Sequence, residues 1–285
     1  MKSTKKIIAI DKLHAFENHP YKVQDNEEME ALAESIKEHG IVSPVIVRPL
    51  ENTKDEYEII SGHRRVMASK KAGISEVPAL VVSLDRDAAA IVLVDSNLHR
   101  EHILPSEKAF AYKMKAEALA HKGFRADLTS EQLAPKLATE QIAEDVGTSK
   151  DTIKRYIRLT NLIPEILKYV DEGRISFTPA VELSYLNEQD QHDLLEQIEQ
   201  SDCTPSLSQA CRFKKISQGE GLTPEVIAEI MEEEKANQRE MFKVPMERIR
   251  QYIPNANAKQ AEDFVLKACE HYRKFLIRQR NRDER

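Results

Sequence analysis

The stretch YEIISGHRRVMASKKAGISEVPALVV, at residues 57–82, decides the fold of the first part of this chain. Its apolar start, YEIIS, predicts a strand, and the Ser-Gly pair after it predicts a turn. The segment HRRVMASKK then predicts a helix, which is followed by another apolar strand at residues 77–82. A strand, a turn and a helix in direct succession predict a unit of mixed α and β structure.

Further signals extend this mixed unit toward the N terminus and end it near residue 94. Residues 30–40, EALAESIKEHG, predict a helix, and residues 45–48 predict a strand. After Pro105 the sequence shows only helical periodicity. We therefore expect the α+β fold class, with a small mixed N-terminal domain followed by a helical middle domain and a helical C-terminal domain.

Two adjacent arginines at the start of the predicted helix indicate a site for an anion. The first backbone N–H groups of a helix have no partner within it, and the helix dipole favours negative charge there. Arg64 and Arg65 can hold a phosphate through paired hydrogen bonds, and Gly62 lets the backbone approach the ligand. The expected ligand is phosphorylated, although such arginines can also be solvated or paired with carboxylates.

A second segment, DSNLHREHILPSEK at residues 95–108, strengthens this interpretation. Together the two segments resemble the ParB family of partition proteins, over about residues 8–215. In that family a Gly-Glu-Arg-Arg motif and a Glu-Asn-x-x-Arg motif bind the triphosphate of CTP. The resemblance therefore implies that the nucleotide-binding residues are Gly62, His63, Arg64, Arg65, Ser96, Asn97 and Arg100.

Three positions of this sequence differ from the family's motifs, and these differences argue against nucleotide hydrolysis more than against nucleotide binding. The family usually carries Gln and Arg after a Pro in its first motif, whereas here Pro20 and Tyr21 are followed by Lys22. The glutamates that the family links to hydrolysis are replaced by His63 and Ser96, and neither side chain is a carboxylate. We expect CTP to bind, with Mg²⁺ as an open question, and regard even weak CTPase activity as doubtful.

Composition limits the class of protein. The 285 residues are 41% hydrophobic and 32% charged, and they contain no Trp. A formal charge of −6 means that DNA contacts are expected only from local basic patches. The three cysteines lack metal-ligand spacing, and no apolar run has the length of a signal peptide or a membrane span. We expect a cytoplasmic protein, associated with the nucleoid or a plasmid, and no membrane partner.

Three domains are expected from these patterns. Residues 1–104 are predicted to form the ParB-like nucleotide-binding domain, residues 105–217 a helical DNA-binding domain, and residues 218–285 a helical C-terminal segment. The polar stretch SQGEGLT marks the second boundary, because Thr223 followed by Pro224 predicts the start of a new helix.

Residues 139–159, TEQIAEDVGTSKDTIKRYIRL, have the pattern of a helix-turn-helix. Thr139 is expected to cap the first helix, Gly147 to form the turn, and Ser149 to cap the second helix. A hairpin of two helices without a role in DNA binding would share much of this pattern.

The second helix of this motif carries the residues expected to contact DNA. Between residues 149 and 159, four residues are basic and one is acidic. Residues near the start of the helix would meet base edges, and later ones would hold phosphates. The predicted DNA-binding residues are Ser149, Lys150, Thr152, Lys154, Arg155 and Arg158. The resemblance implies that later residues contribute too, including Arg174 and a capped helix start at Thr178.

The C-terminal segment predicts self-association. Residues 258–280 carry apolar residues at helical spacing, among them Phe264, Tyr272 and Phe275. An apolar stripe of this length needs a partner surface, and a second copy of the chain is the simplest one. A homodimer would suit a palindromic site on double-stranded DNA. The resemblance also leaves open a ParA-type ATPase as a partner.

The leading hypothesis is a sequence-specific DNA-binding partition protein of plasmid or mobile-element DNA, which CTP would close into a clamp. One alternative is a helix-turn-helix transcription regulator with an inactive nucleotide site. A minor alternative is a small-molecule kinase, because a free-serine kinase shares the ParB-like fold and Glu30, Glu34, Asp95 or Glu101 could serve it. Sulfiredoxin shares the fold as well, but it has a Cys where this chain has Gly62.

Overall fold

The computed structural model of the chain describes residues 3–51, 53–98, 100, 102–125, 134–219, 221–233, 246–254 and 257–283. The chain divides into two compact units, residues 1–233 and residues 234–285, which we describe separately.

The first unit begins with a five-stranded mixed sheet. Its strands are β1 (Ser3–Ala9), β2 (Leu13–His14), β3 (Val45–Pro49), β4 (Tyr57–Ser61) and β5 (Glu76–Val82). Their order across the sheet is β1-β5-β3-β4-β2. Strand β5 is antiparallel to β1 and parallel to β3, whereas β4 is antiparallel to β3 and parallel to β2. The predicted strands at residues 45–48, 57–61 and 77–82 are therefore confirmed.

Three helices are interleaved with these strands. They are α1 (Glu27–His39), α2 (His63–Lys71) and α3 (Arg86–Asp95). Helix α1 begins three residues before the predicted start at residue 30, because the side chain of Asn26 accepts a hydrogen bond from the backbone N–H of Met29 at 3.2 Å. The α+β fold class is confirmed.

Strand β4 is buried on both faces of the sheet, which explains its continuous apolar sequence. Ile59 packs with Val66 of α2 on one face. Ile60 packs with Leu93 of α3 on the other face. The strand that leads into α2 is thus held between α2 and α3, and this arrangement brings the start of α2 close to the end of α3.

The rest of the first unit is helical. Its helices are α4 (Pro105–Arg125), α5 (Ala134–Val146), α6 (Lys150–Arg158), α7 (Pro164–Asp171), α8 (Phe177–Leu183), α9 (Glu188–Ser201), α10 (Leu207–Ser217) and α11 (Pro224–Glu232). Helix α4 starts at Pro105, as predicted. Helices α7 to α11 share one apolar core, in which Ile166, Leu194 and Phe213 are fully buried.

Helix α11 starts as predicted but belongs to the first unit. Thr223 caps it by accepting a hydrogen bond from the backbone N–H of Val226. Its residues Ile227 and Ile230 are buried in the same core as Phe213. The predicted domain boundaries at residues 104 and 217 stay predictions, while the apolar face of α11 places residues 224–232 with the helices before them.

The second unit contains α12 (Met246–Arg250) and α13 (Ala258–Asp283) within its described residues. The helix predicted at residues 258–280 is confirmed. Within this unit Phe264, Tyr272 and Phe275 are 38%, 61% and 53% exposed, so their apolar side chains stay largely uncovered. Across all the helices that the structure describes, none is long and apolar enough to cross a bilayer.

Replacement of Gly62 tests the turn between β4 and α2. Gly62 has a φ of +108°, and a Cβ at this position would lie 2.8 Å from Cγ1 of Val45. We expect Gly62→Ala to lower the free energy of unfolding by about 2–4 kcal/mol in chemical denaturation, because both the backbone and β3 would be strained. Gly73→Ala is the matched control, since Gly73 has a φ of +75° and no atom within 4 Å of a Cβ. Equal losses in the two variants would contradict the steric explanation.

Candidate functional site

The two predicted nucleotide-binding segments line a single cleft at the start of α2. Its volume is about 150 Å³. The turn after β4 forms one side, and the residues after α3 form the other. The residues that line the cleft are His19, Tyr21, Lys22, Val23, Ser61, Gly62, His63, Arg64, Arg65, Ser96, Asn97 and Arg100. The structure therefore brings together all seven residues that the motifs predicted.

The cleft is strongly basic although the chain as a whole is acidic. Lys22, Arg64, Arg65 and Arg100 line it, and none of the lining residues is Asp or Glu. Nη2 of Arg64 lies 3.0 Å from a carboxylate oxygen of Glu28, whose side chain is 73% exposed. An exposed pair of this kind contributes little stability, so a phosphate can replace the carboxylate as the partner of Arg64.

Arg65 has a structural role as well as a place in the cleft. Its Nη1 donates hydrogen bonds to the backbone oxygen of Ser43 and, at 2.9 Å, to that of Pro44. These bonds hold the segment just before β3 against α2. Partial burial lowers the pKa of Arg65 from its ordinary value. Arg64 is consequently the arginine of this pair with more freedom to contact a ligand.

His63 lies at the position where the family's motif has a glutamate, and it is a neutral side chain. Its Nε2 accepts a hydrogen bond from the backbone N–H of Phe16 at 3.4 Å, so the proton is on Nδ1. Its ring centroid lies 3.9 Å from that of His19. Burial, with His19 and Arg100 nearby, lowers the pKa of His63 to about 3. At neutral pH His63 can donate a hydrogen bond but supplies no charge.

Ser96 and Asn97 are oriented by the last turn of α3. The side-chain amide of Asn97 donates to the backbone oxygen of Leu93 at 2.8 Å, and Oγ of Ser96 donates to the same oxygen at 2.9 Å. Asn97 is buried, whereas Ser96 and Arg100 are exposed. The amide oxygen of Asn97 can therefore accept a further bond, and Arg100 can adjust to a ligand.

Five cleft residues were not predicted as ligand contacts, namely His19, Tyr21, Lys22, Val23 and Ser61. His19, Tyr21 and Lys22 come from the loop between β2 and α1, and they reach the cleft only through folding. Oη of Tyr21 is buried and has no hydrogen-bond partner among the described residues. Burial raises the pKa of the Tyr21 hydroxyl. The Pro20-Tyr21 pair was the available signal, because it begins the segment that corresponds to the family's first motif.

A metal would find few ligands in this cleft. Among the described residues no group of three or more His, Cys, Asp or Glu side chains could hold a metal ion. The cleft itself offers hydroxyl and amide oxygens, from Ser61, Ser96 and Asn97. Binding of Mg²⁺ would thus depend mainly on phosphate oxygens of the nucleotide.

Helices α5 and α6 form the predicted helix-turn-helix, with one correction. Oγ of Ser149 accepts a hydrogen bond from the backbone N–H of Thr152 at 3.1 Å, which confirms the cap of α6. Gly147 has a φ of +70° and ends α5. The prediction that Thr139 caps α5 is wrong, because α5 begins at Ala134. Its inner face continues upstream through the buried Ala138, four residues before Ile142.

The first half of α6 presents accessible side chains. Lys150 pairs with Glu140 at 3.1 Å, and Lys154 lies 3.9 Å from Asp151. The side chains of both lysines are more than half exposed. The hydroxyls of Thr152 and Ser149 are 2.9 Å apart. These four predicted residues, Ser149, Lys150, Thr152 and Lys154, lie on the accessible start of the helix.

The two arginines of α6 contact other parts of the first unit instead. Nη2 of Arg155 donates to Oγ1 of Thr178 at 3.0 Å. Nη2 of Arg158 donates to the backbone oxygen of Ser184 at 3.1 Å, and its guanidinium lies 3.9 Å from the ring centroid of Tyr185. Both arginines therefore help to fix α8 and the residues after it against α6.

Two predictions concern residues after α6, namely the helix start at Thr178 and the DNA contact by Arg174. The predicted capped start at Thr178 is wrong, because α8 begins at Phe177 and Ser176 adopts the extended conformation of the capping position. Arg174 is paired with Asp202 at 3.2 Å and lies over the ring of Tyr169. Arg174 is half-exposed, so this surface pair leaves its guanidinium accessible.

The pH dependence of stability tests the environment of His63. Its folded-state pKa is about 3, against an ordinary value of 6.5. Below pH 6.5 the unfolded chain binds a proton at this position and the folded chain does not. The free energy of unfolding should therefore decrease as the pH is lowered from 6.5 towards 3, by up to about 1.4 kcal/mol per pH unit from this group.

We expect His63→Gln, which keeps a neutral hydrogen-bonding side chain, to reduce this slope in urea denaturation between about pH 7 and pH 5. His39→Gln is the control, because His39 is an exposed residue at the end of α1. An identical slope in wild type and His63→Gln would show that His63 is not buried as described.

Several known proteins are similar to this chain. The chromosome-partitioning protein Spo0J of Thermus thermophilus is 36% identical over 172 residues, which are 60% of this chain and 56% of that protein. The nucleoid occlusion protein of Listeria innocua is 31% identical over 195 residues, 68% of this chain and 62% of that protein. A probable chromosome 1-partitioning protein ParB of Deinococcus radiodurans is 36% identical, over 56% of this chain and 49% of that protein. The chain thus spans about half the length of its curated relatives.

Solved structures of ParB proteins also match. The C-terminally truncated chromosome-partitioning protein ParB from Caulobacter crescentus, complexed with CTP-gamma-S, is 28% identical, with a TM-score of 0.32 over 68% of this chain and 98% of that one. A Pnob8-like ParB-N domain is 18% identical, with a TM-score of 0.46 over 81% of this chain and 98% of that one.

Two family models match consecutive parts of the sequence. The ParB N-terminal domain matches residues 1–98, which include the cleft up to Asn97. The ParB HTH domain matches residues 115–206, which include α5 and α6. Together the two models cover about two thirds of the chain. The chain belongs to the ParB family.

Proposed function

We propose that this chain is a sequence-specific DNA-binding partition protein whose N-terminal domain binds CTP. The observation that carries the proposal is the convergence of Gly62, Arg64, Asn97 and Arg100 on one basic cleft, in the same compact unit as a helix-turn-helix. In a protein with both features, the affinity for DNA can depend on whether a nucleotide is bound.

The chemistry of the cleft supports a triphosphate as the ligand. The unpaired N–H groups at the start of α2 and the guanidinium of Arg64 favour phosphate oxygens. Arg100, from the opposite side, adds a second exposed cation. CTP is chosen over other nucleotides because the ParB family's motifs correspond to these positions.

Binding is better supported than hydrolysis. Nε2 of His63 already accepts a hydrogen bond from Phe16, and a pKa of about 3 makes this imidazole a weak base. Ser96 has no basic group, so neither residue is an effective replacement for a glutamate as general base. The lining residues contribute no carboxylate. This observation also favours the second candidate function, a helix-turn-helix regulator whose nucleotide site is inactive. The kinase alternative needs a carboxylate near the phosphates and gains no support from the cleft.

The accessible start of α6 supports major-groove recognition. Ser149, Lys150, Thr152 and Lys154 would meet base edges, as in other helix-turn-helix proteins. Arg155 and Arg158 would act mainly by holding α8 in place, since their guanidinium groups already have partners.

A homodimer completes the proposal. The uncovered apolar residues of α13, such as Tyr272 and Phe275, supply a surface that a second copy could cover. Two copies would suit a palindromic duplex, and CTP would then draw two N-terminal domains into a clamp around it. Plasmid or mobile-element DNA as the cargo, and a ParA-type ATPase as the partner, stay predictions.

Calorimetric titration with CTP, ATP and GTP tests the nucleotide site. We expect wild type to bind CTP selectively and Arg64→Ala to bind it at least about ten-fold more weakly, because a charged hydrogen bond to phosphate is lost. Arg86→Ala is the matched control, since Arg86 pairs with Glu17 outside the cleft. If wild type binds no nucleotide while DNA binding is intact, the regulator with an inactive site is the better description.

Charge reversal on α6 tests the DNA site. We expect Lys154→Glu to weaken binding to the duplex that wild type selects from a random pool by about ten-fold or more, and to reduce the salt dependence of binding. Fluorescence anisotropy at several salt concentrations measures both. Lys37→Glu, on the exposed face of α1, controls for the change in net charge. Unchanged affinity in Lys154→Glu would show that α6 is not the recognition helix.

A further inference from the structure

A buried lysine joins the nucleotide cleft to the helix-turn-helix. Lys115, in the middle of α4, is 1% exposed and is among the largest fully buried side chains of the described residues. Its Nζ lies 2.6 Å from Oδ1 of Asp95 and 2.6 Å from Oδ2 of Asp145. One ammonium group therefore binds two carboxylates from two different helices.

The positions of these carboxylates connect the two sites. Asp95 is the last residue of α3, and the chain continues directly into Ser96 and Asn97 of the cleft. Asp145 is in the last turn of α5, two residues before Gly147 at the turn of the helix-turn-helix. A cation is favoured at the C-terminal end of a helix, so both helix ends attract Lys115.

The energetics of the bridge make it sensitive to position. The buried ammonium needs a carboxylate partner, because an unpaired buried charge is strongly unfavourable, and here it has two. Asp95 and Asp145 are 48% and 43% exposed, so water can hydrate them when they move away. Their bonded oxygens lie within about 5.2 Å of each other, since each is 2.6 Å from the same nitrogen. A shift at the end of either helix thus changes the environment of the lysine and the position of the other helix.

Apolar contacts already hold α4 in place without this bridge. Ala111 and Ala118 of α4 pack with Leu93 of α3. Tyr112 of α4 packs with Ile142 of α5. The buried ion bridge is therefore not needed simply to keep the three helices together, and a methionine could fill the same space as the lysine.

We propose that Lys115 is a positioning residue that couples nucleotide binding at Asn97 and Arg100 to DNA binding at α6. DNA contact that shifts the end of α5 would act through Asp145, Lys115 and Asp95 on the residues after α3, and a nucleotide would act in the reverse direction. This inference rests on the proposed function, because it needs both ligands to bind.

The test is the ratio of the CTP dissociation constants without and with the selected duplex, measured on the full chain by calorimetry with a slowly hydrolysed CTP analogue. For wild type we expect DNA to tighten nucleotide binding by about ten-fold. For Lys115→Met the ratio should fall below about three-fold, while DNA-free nucleotide affinity changes much less. Lys122→Met, an exposed lysine on the same helix, should retain the wild-type ratio.

Asp145→Asn provides a second, milder variant. It removes one half-exposed carboxylate and leaves the pair between Lys115 and Asp95, so it should fold even if Lys115→Met does not. We expect it to reduce the ratio as well. If Lys115 has only a structural role, the two variants should change the free energy of unfolding but keep the wild-type ratio of CTP dissociation constants.

The outcomes separate this inference from the proposed function. If folded Lys115→Met has the same ratio as wild type, the proposed role of Lys115 is wrong. The same holds for Asp145→Asn if Lys115→Met does not fold. In both cases the proposals of nucleotide binding and DNA binding are unaffected. Wild type that binds both ligands without coupling also overturns the role of Lys115. Wild type that binds no CTP overturns the proposed nucleotide function, and the inference with it.

Discussion

Strand β4 ends against the side chain of Val45, and the chain can turn there only because residue 62 has no side chain. Gly62 has a φ of +108°, and a Cβ at this position would lie 2.8 Å from Cγ1 of Val45. Any other residue at this position would therefore strain the backbone or the packing of Val45. This turn sets the direction of α2, and Arg65 then secures α2 to the segment before β3 through Ser43 and Pro44. The N-terminal end of α2, where the basic cleft lies, is positioned by that constraint.

The cleft also depends on the burial of β4 on both faces. Ile59 faces α2 and Ile60 faces α3, so one strand sets the spacing between the two helices whose ends form the cleft. The resulting site concentrates positive charge in an acidic chain, and it excludes charge from His63 by burying the ring beside His19. The basic side chains and the neutral residue at the glutamate position of the family's motif are therefore neighbours in one cleft.

Helix α4 connects the sheet to the helical half of the unit. Its apolar residues pack on α3 and α5, while Lys115 binds the ends of both. In α6 the charged residues divide into two groups, because Arg155 and Arg158 reach α8 and the residues after it whereas Lys150 and Lys154 point away from the core. The basic residues of the helix-turn-helix thus include exposed lysines and arginines that support the fold.

The sequence by itself determined β3, β4 and β5 and the starts of α2, α4, α6 and α11, whereas β1 and β2 were not predicted. The motif residues were grouped by their resemblance to the ParB family. These strands and helix starts follow from local patterns: apolar runs, a capping Ser149, and a Ser-Gly turn before the helix that carries Arg64 and Arg65. Only the tertiary structure decided that His19, Tyr21 and Lys22 join the cleft. It also decided that Arg155 and Arg158 contact α8 and the residues after it, and that Lys115 bridges Asp95 and Asp145. The physical reason is that such contacts join residues far apart in the chain. Burial and pairing of a charged side chain depend on which helix packs beside it, and no local pattern encodes that choice.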